Sequence, residues 1–321
     1  MTTPSILFLI PPLTQLNTPY PSTAYLTGFL RSKGYQARQA DVGLEMVLSL
    51  YSRAGLARVF EEVRQWPQDL PGEARQLLAL SAAYLDTIDP VVAFLQGRDP
   101  SLAPLICQGC VLPQGPRFTA SRKSVPQAQA GSTGSSGTSD YARHLASLYL
   151  EDIADLVAAT VSPYFALSRY AEQVATLASS FDPIAAALEA PLSVTDEWLL
   201  QAVWRQLEED LPDVIGLTVP FPGNLYGALR VAQAIKFHHP HLPILLGGGY
   251  VNTELRRLQD PRLFDLVDFV TLDDGERPLL CVLEHLQGTR EDARLRRTFV
   301  RRDGRVVWRD GAREPEFGMA D

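Results

Sequence analysis

DVIGLTVPFPGN, residues 213–224, sets a short apolar run against a loop of prolines and glycine. An almost continuous apolar run of this length is the pattern of a strand buried on both faces of a parallel sheet. A helix is predicted next, over 225–237, because Leu225, Ala228, Leu229, Ala232 and Ile235 recur on one face. Downstream the pattern repeats. PILL (243–246) is a strand that runs into Gly247, Gly248 and Gly249, and VDFVTL (267–272) is another, followed by DDGE and a helix over about 277–286.

The same grammar opens the chain. SILFLI (5–10) is a buried strand ended by Pro11 and Pro12, which cannot donate to a ladder. Ser22 is placed as the N-cap of a helix that turns Tyr25, Leu26, Phe29 and Leu30 to one side and stops at Gly34. A second strand follows over 35–40. Five strands with helical crossovers imply an α/β fold: a doubly wound, flavodoxin-like parallel sheet in the order 2-1-3-4-5. It carries a large helical insertion and a C-terminal β-hairpin, whose strands 298–300 and 305–308 flank the turn pair Asp303-Gly304. The domain reading is therefore 1–44 with 208–290 for the α/β part, 45–207 for the insertion, and 291–321 for the hairpin and a linker. Within the insertion, helices are expected over 44–65, 72–87, 141–156, 163–179 and 196–207, with a low-complexity flexible linker near 128–140.

Composition narrows the function classes. The chain has 321 residues, 46% hydrophobic and 21% charged, with a net charge of −8. Such an acidic chain is a poor match to nucleic acid or an anionic membrane, which demand clustered Lys and Arg. Three cysteines, Cys107, Cys110 and Cys281, do not make a secreted disulfide framework. The N-terminus lacks the basic and cleavage regions of a signal peptide. No run approaches the roughly 18–20 apolar residues of a membrane span. A soluble, cytoplasmic protein is expected.

In an open parallel sheet, ligands bind beyond the carboxyl ends of the strands. Four loops meet there: 11–15, 218–224, 247–250 and 273–276, rich in Gly, Pro and hydroxyl residues. Glycine lets backbone approach a ligand closely. No GxGxxG follows the first strand and no GxxxxGK[ST] occurs, so dinucleotide and P-loop fingerprints are missing. The pair Cys107 and Cys110, in a Pro-rich loop, is one CxxC without the second pair that zinc needs. His238, His239 and His241 follow a helix C-terminus, where the dipole favours cationic side chains. The metal-ligand set is therefore read as none, and no catalytic residue is assigned.

PPLTQLNTPYPSTAYLTGFLRSKGYQARQADVGLE (11–45), DVIGLTVPFPGN, PILLGGGY (243–250) and VDFVTLDDGERPLL (267–280) together resemble the N-terminal cobalamin-binding domain of cobalamin-dependent radical-SAM enzymes. The likeness covers about 1–50 and 208–290. It implies a corrin lying over the carboxyl edge of the sheet, with its nucleotide tail running down between strands. By position, Thr218 would meet the tail, with Val219 and Pro220 beside it. Gly247 and Gly248 would flank the tail, with Gly249 and Tyr250 next to them. Pro12, Leu13 and Thr14, with Asp274, Gly275 and Glu276, would border the corrin or its amides. Two departures stand out. The DxHxxG motif, whose His ligates cobalt in other cobalamin domains, is missing. So is the CxxxCxxC of a [4Fe–4S] cluster. The resemblance thus implies cobalamin as cofactor, and a C-terminal radical-SAM domain as partner that would hold the cluster and S-adenosylmethionine. The alternative is a stand-alone flavodoxin-like module that binds a nucleotide or flavin without catalysis.

Overall fold

The structure is a computed structural model that describes residues 3–12, 16, 20–124, 135–163, 165, 167, 181–257, 259–315 and 317. Its elements run β1 (Ser5–Ile10), α1 (Ser22–Ser32), β2 (Gln36–Asp41), α2 (Val42–Leu50), α3 (Arg53–Arg64), α4 (Gly72–Ala79) and α5 (Ser81–Leu95). There follow α6 (Ala103–Cys107), α7 (Pro116–Ser124), α8 (Ser135–Thr160), α9 (Asp182–Glu189), α10 (Val194–Glu209) and β3 (Val214–Thr218). The chain continues through α11 (Gly223–His238), β4 (Ile244–Gly247), α12 (Gly249–Glu254), β5 (Phe269–Thr271), α13 (Glu276–Leu286), β6 (Thr298–Arg302) and β7 (Arg305–Arg309). Contacts divide it into two units. One holds Met1–Met46, Ser168–Leu192 and Asp196–Asp321, and the other holds Val47–Leu167 with Ser193–Thr195.

The first unit is the α/β part. Its sheet order is β2-β1-β3-β4-β5-β6-β7, the expected 2-1-3-4-5 core with two added strands. β1 pairs in parallel with β2 and with β3, with Phe8 opposite Gln39 and Gly216. β3 pairs with β4, and β4 with β5, also in parallel. Every residue of β3 is buried, as a central parallel strand requires. Side chains alternate between the faces. Ile6, Phe8, Val214, Leu245 and Phe269 share one core with Leu30 of α1 and Leu279, Leu280 and Val282 of α13. On the other face Leu7, Leu9, Ile215 and Leu217 are at most 2% exposed. β1 to β2 steps one way along the sheet and β3 to β4 the other, so right-handed crossovers put α1 and α11 on opposite faces.

The hairpin does not stand apart. β6 pairs antiparallel with β5 through Val270–Phe299 and Thr271–Thr298, which makes the sheet mixed. Asp303 and Gly304 both take positive φ, 50° and 74°, as the two central residues of a type I′ turn must. Thr298 and Val300 are fully buried, so the hairpin covers what would otherwise be an open β5 edge.

The second unit is helical. Its core includes Leu56, Val59, Phe60, Ile88, Val91, Ile106 and Ile153, with Tyr84 and Tyr149 stacked at 4.7 Å between ring centroids. The helix expected over 44–65 is two. Ser52 leaves helical geometry at φ −117° and its hydroxyl accepts from Gly55 N at 3.0 Å, which starts α3 afresh. The helix expected over 72–87 likewise breaks after Ala79, and α5 then continues to Leu95 through Pro90. The low-complexity stretch is not all linker: from Ser135 it forms the first turns of α8. Residues 128–134, and most of the helix expected over 163–179, lie outside the described residues. Among the described residues no single helix is long and apolar enough to cross a membrane. α4 and α5 meet the length and composition only as a pair bent by 76°.

Candidate functional site

A cleft of about 260 Å³ opens at the carboxyl edge of the sheet, on the face that carries α1 and α13. Its rim is formed by Tyr20, Ser22, Thr218, residues 247–249, Asn252, Asp273 and Gly275. Its floor is Phe8, Gly216, Leu245 and Leu279. Gly216 lies two residues below Thr218, so the cleft descends about 7 Å beneath the strand ends. Glycine at 216 is required by packing: a Cβ there would lie 2.6 Å from the Phe8 ring.

Ser22 was expected to cap α1. Pro21 takes the cap position instead and offers no side-chain hydrogen bond. The Ser22 hydroxyl turns to Thr218 Oγ1 at 3.2 Å, which sets two hydroxyls across the cleft mouth. Thr218 itself is 8% exposed. Opposite them, Asn252 accepts from Asp273 N at 2.7 Å through Oδ1. Asp273 needs this clamp because its φ is +63°, an uncommon conformation for a residue with a side chain. Its carboxylate is matched by Arg256 and by Arg297 at 3.6 Å. Among the described residues, no Lys or Arg lines the cleft.

The sequence-derived site residues fall into three groups. Thr218, Gly247, Gly248, Gly249 and Gly275 line the cleft. Pro12, Val219, Pro220, Tyr250, Asp274 and Glu276 do not. Pro12 is a packing wedge, within 3 Å of where a Cβ on Gly43 or Gly227 would stand, and its carbonyl accepts from Asn224 Nδ2 at 2.9 Å. Val219 is fully buried and holds the neighbouring loop by backbone, its N–H donating to Gly247 O and its carbonyl accepting from Tyr250 N. Pro220 is buried behind it, with its carbonyl 2.9 Å from where a Cβ on Gly249 would stand. Tyr250 is 3% exposed, and its hydroxyl has no hydrogen-bond partner among the described residues. Asp274 is exposed, and Glu276 accepts from the Tyr25 hydroxyl at 2.6 Å. The third group, Leu13 and Thr14, lies outside the described residues.

Not assigned from sequence were Phe8, Tyr20, Ser22, Thr23, Leu26, Gly216, Leu217, Leu245, Asn252, Thr271, Asp273 and Leu279. The signal for Ser22 was present: a hydroxyl just ahead of the helix that follows strand one. Two of the glycines also serve a purpose other than ligand approach. A Cβ on Gly248 would meet Val219 O at 2.6 Å, and one on Gly249 would meet Pro220 O at 2.9 Å, so the chain's own backbone excludes side chains there. Gly247 differs: its nearest neighbour is the Thr271 hydroxyl at 3.1 Å.

The other sequence candidates separate cleanly. Cys107 is the last residue of α6 rather than part of a loop, and its thiol contacts Thr138 O at 3.4 Å. Cys110 is exposed. His238 ends α11 and stands edge-on to the Trp204 ring at 5.0 Å, at the amino end of the strands and away from the cleft. No family model, no curated protein and no solved structure matches this chain.

Proposed function

We propose that the α/β unit is a cobalamin-binding domain, the N-terminal part of a cobalamin-dependent radical-SAM enzyme, in which the cleft receives the nucleotide arm of the cofactor. The observation that carries this reading is the cleft's depth: it continues from the glycine-rich edge down to Phe8 and Gly216, between the sheet and α1 and α13. At about 260 Å³ it falls below the roughly 300–1,000 Å³ of a site that encloses a whole small molecule. It therefore suits one ring-bearing arm of a larger ligand, whose body rests outside on the edge. Hydroxyls from Ser22 and Thr218 and the amide of Asn252 offer hydrogen bonds to the base and ribose of such an arm, and its phosphodiester would stay at the open mouth.

When bound, the corrin would supply a transferable alkyl group or assist a radical rearrangement. This chain's residues would bind and orient it. None of the five histidines, His144, His238, His239, His241 and His285, falls in the edge loops, so no imidazole is assigned to the cobalt. The iron–sulfur cluster and S-adenosylmethionine belong to a separate radical-SAM domain in this reading, since three cysteines at 107, 110 and 281 do not form CxxxCxxC. The α/β unit is then non-catalytic alone. The free thiols agree with a reducing, cytoplasmic setting.

Protein incubated with hydroxocobalamin and desalted is expected to keep the corrin absorbance, and a colourless protein would overturn the proposal. Gly247→Val is the matched control. Its φ is not left-handed, so the added side chain narrows the cleft without backbone strain. A loss of at least about tenfold in affinity, with an unchanged far-UV spectrum, is expected.

A further inference from the structure

The helical unit contains a cavity of about 330 Å³ between α4, α7 and α8, unrelated to the cleft of the α/β unit. Its walls include Leu77, Pro116 and Leu156, and at it lies Asp152. Asp152 is 1% exposed, yet no Lys, Arg or His side-chain nitrogen lies within 4.0 Å of its carboxylate among the described residues. Its two oxygens accept only neutral donors, the Tyr84 hydroxyl at 3.1 Å and the backbone N–H of Arg117 at 3.0 Å. A carboxylate has about four acceptor positions, so capacity remains. Burying such a group without a counter-charge is costly. Burial accordingly pushes the Asp152 carboxyl up to about 6, against the lowering pull of its hydrogen bonds and of Arg117.

Among the described residues, the cation beside Asp152 is Arg117, and it is already engaged. Arg117 gives Nε and Nη2 to Asp155 and Nη1 to Glu151. Facing Asp152 are thus Tyr84 of α5, Arg117 of α7 and Asp155 of α8, with Glu73 of α4 at the cavity wall, while Glu151 pairs with Arg117. Among the described residues, these four carboxylates share one guanidinium. Gly115 keeps the carboxylate in place, since a Cβ there would fall 2.0 Å from Asp152 Oδ2 and 2.3 Å from the Tyr84 hydroxyl.

We propose that this cavity binds a small organic cation, an alkylammonium or amidinium with an apolar body, whose charge pairs with Asp152. The apolar walls take the body and the buried carboxylate takes the head. Among the described residues an anion has no free cationic donor to meet, and a neutral molecule leaves the carboxylate uncompensated.

The test uses the full chain with cyclohexylammonium and its neutral counterpart cyclohexanol, titrated by ligand-observed NMR. The cation is expected to bind at least about tenfold more tightly at pH 7.5. At pH 5 that preference should fall about tenfold, because Asp152 is then mostly protonated. Asp152→Asn keeps an acceptor for Arg117 N and should abolish both the preference and its pH dependence. Ala159→Trp, on an exposed position of α8 at the cavity, should block binding with Asp152 intact and does not depend on that variant folding. Equal binding of the two probes, or a preference that survives Ala159→Trp, would overturn the proposal.

Discussion

Arg230→Met is expected to lower the unfolding free energy by about 3–5 kcal/mol, the usual cost of breaking a buried, hydrogen-bonded charge network. Arg230 is 3% exposed on α11. Its guanidinium donates to the carbonyls of Ala187 and Leu188 at 2.8 Å each, and so satisfies the last turn of α9. It also donates to the Tyr226 hydroxyl at 2.9 Å, and that hydroxyl in turn donates to Asp196 at 3.1 Å. Asp196 is 4% exposed and stands 4.0 Å from Arg230. Methionine matches the length of the stem but takes the guanidinium donors from the Ala187 and Leu188 carbonyls and removes the cation that stands 4.0 Å from Asp196. Urea denaturation of the full chain, followed by tryptophan fluorescence, measures the loss. A change below about 1 kcal/mol would mean that the network adds little.

Gly248→Ala should be the most damaging small change at the cleft. Gly248 sits at φ 119° and ψ 176°, a region open in practice only to glycine. A Cβ would also stand 2.6–2.7 Å from three backbone atoms of Val219, which belongs to the loop after β3 and cannot swing aside like a side chain. Strain and clash together are expected to cost about 3 kcal/mol. The backbone links that join these two loops, Val219 N to Gly247 O and Tyr250 N to Val219 O, should open. Hydrogen exchange at those amides would report it. Unchanged protection would show that the 247–249 turn tolerates a side chain.

Much of the sheet was legible because three of its strands, β1, β3 and β4, are short apolar runs closed by Pro or Gly. β1, β3 and β4 needed no tertiary information. The hairpin turn was equally legible from Asp303-Gly304. Its attachment to β5 was not, because nothing local in residues 298–302 says which edge they will pair with. Local preference also misled at Ser22. Serine after a proline is a good cap, but the hydroxyl found a tertiary partner in Thr218. The break at Ser52 was hidden by apolar periodicity that continues across it.

The site was legible only in outline. Sequence placed the four loops on one edge, and Thr218 and residues 247–249 do line the cleft. The depth of that cleft depends on Phe8 standing opposite Gly216 across the β1–β3 ladder, a matter of register. Pro12 and Val219 misled for the converse reason. Loop position made them candidates, and burial against Gly43, Gly227 and the next loop makes them scaffold.

Cobalamin and cobinamide, which lacks the nucleotide arm, differ in the part of the cofactor that the cleft is proposed to hold. Equilibrium dialysis of both against the purified protein, with Gly247→Val beside it, tests the proposal most directly. Cobalamin should be retained at least about tenfold more tightly than cobinamide, and the variant should lose that advantage. Equal retention of the two corrinoids, or retention of neither, would contradict the assignment.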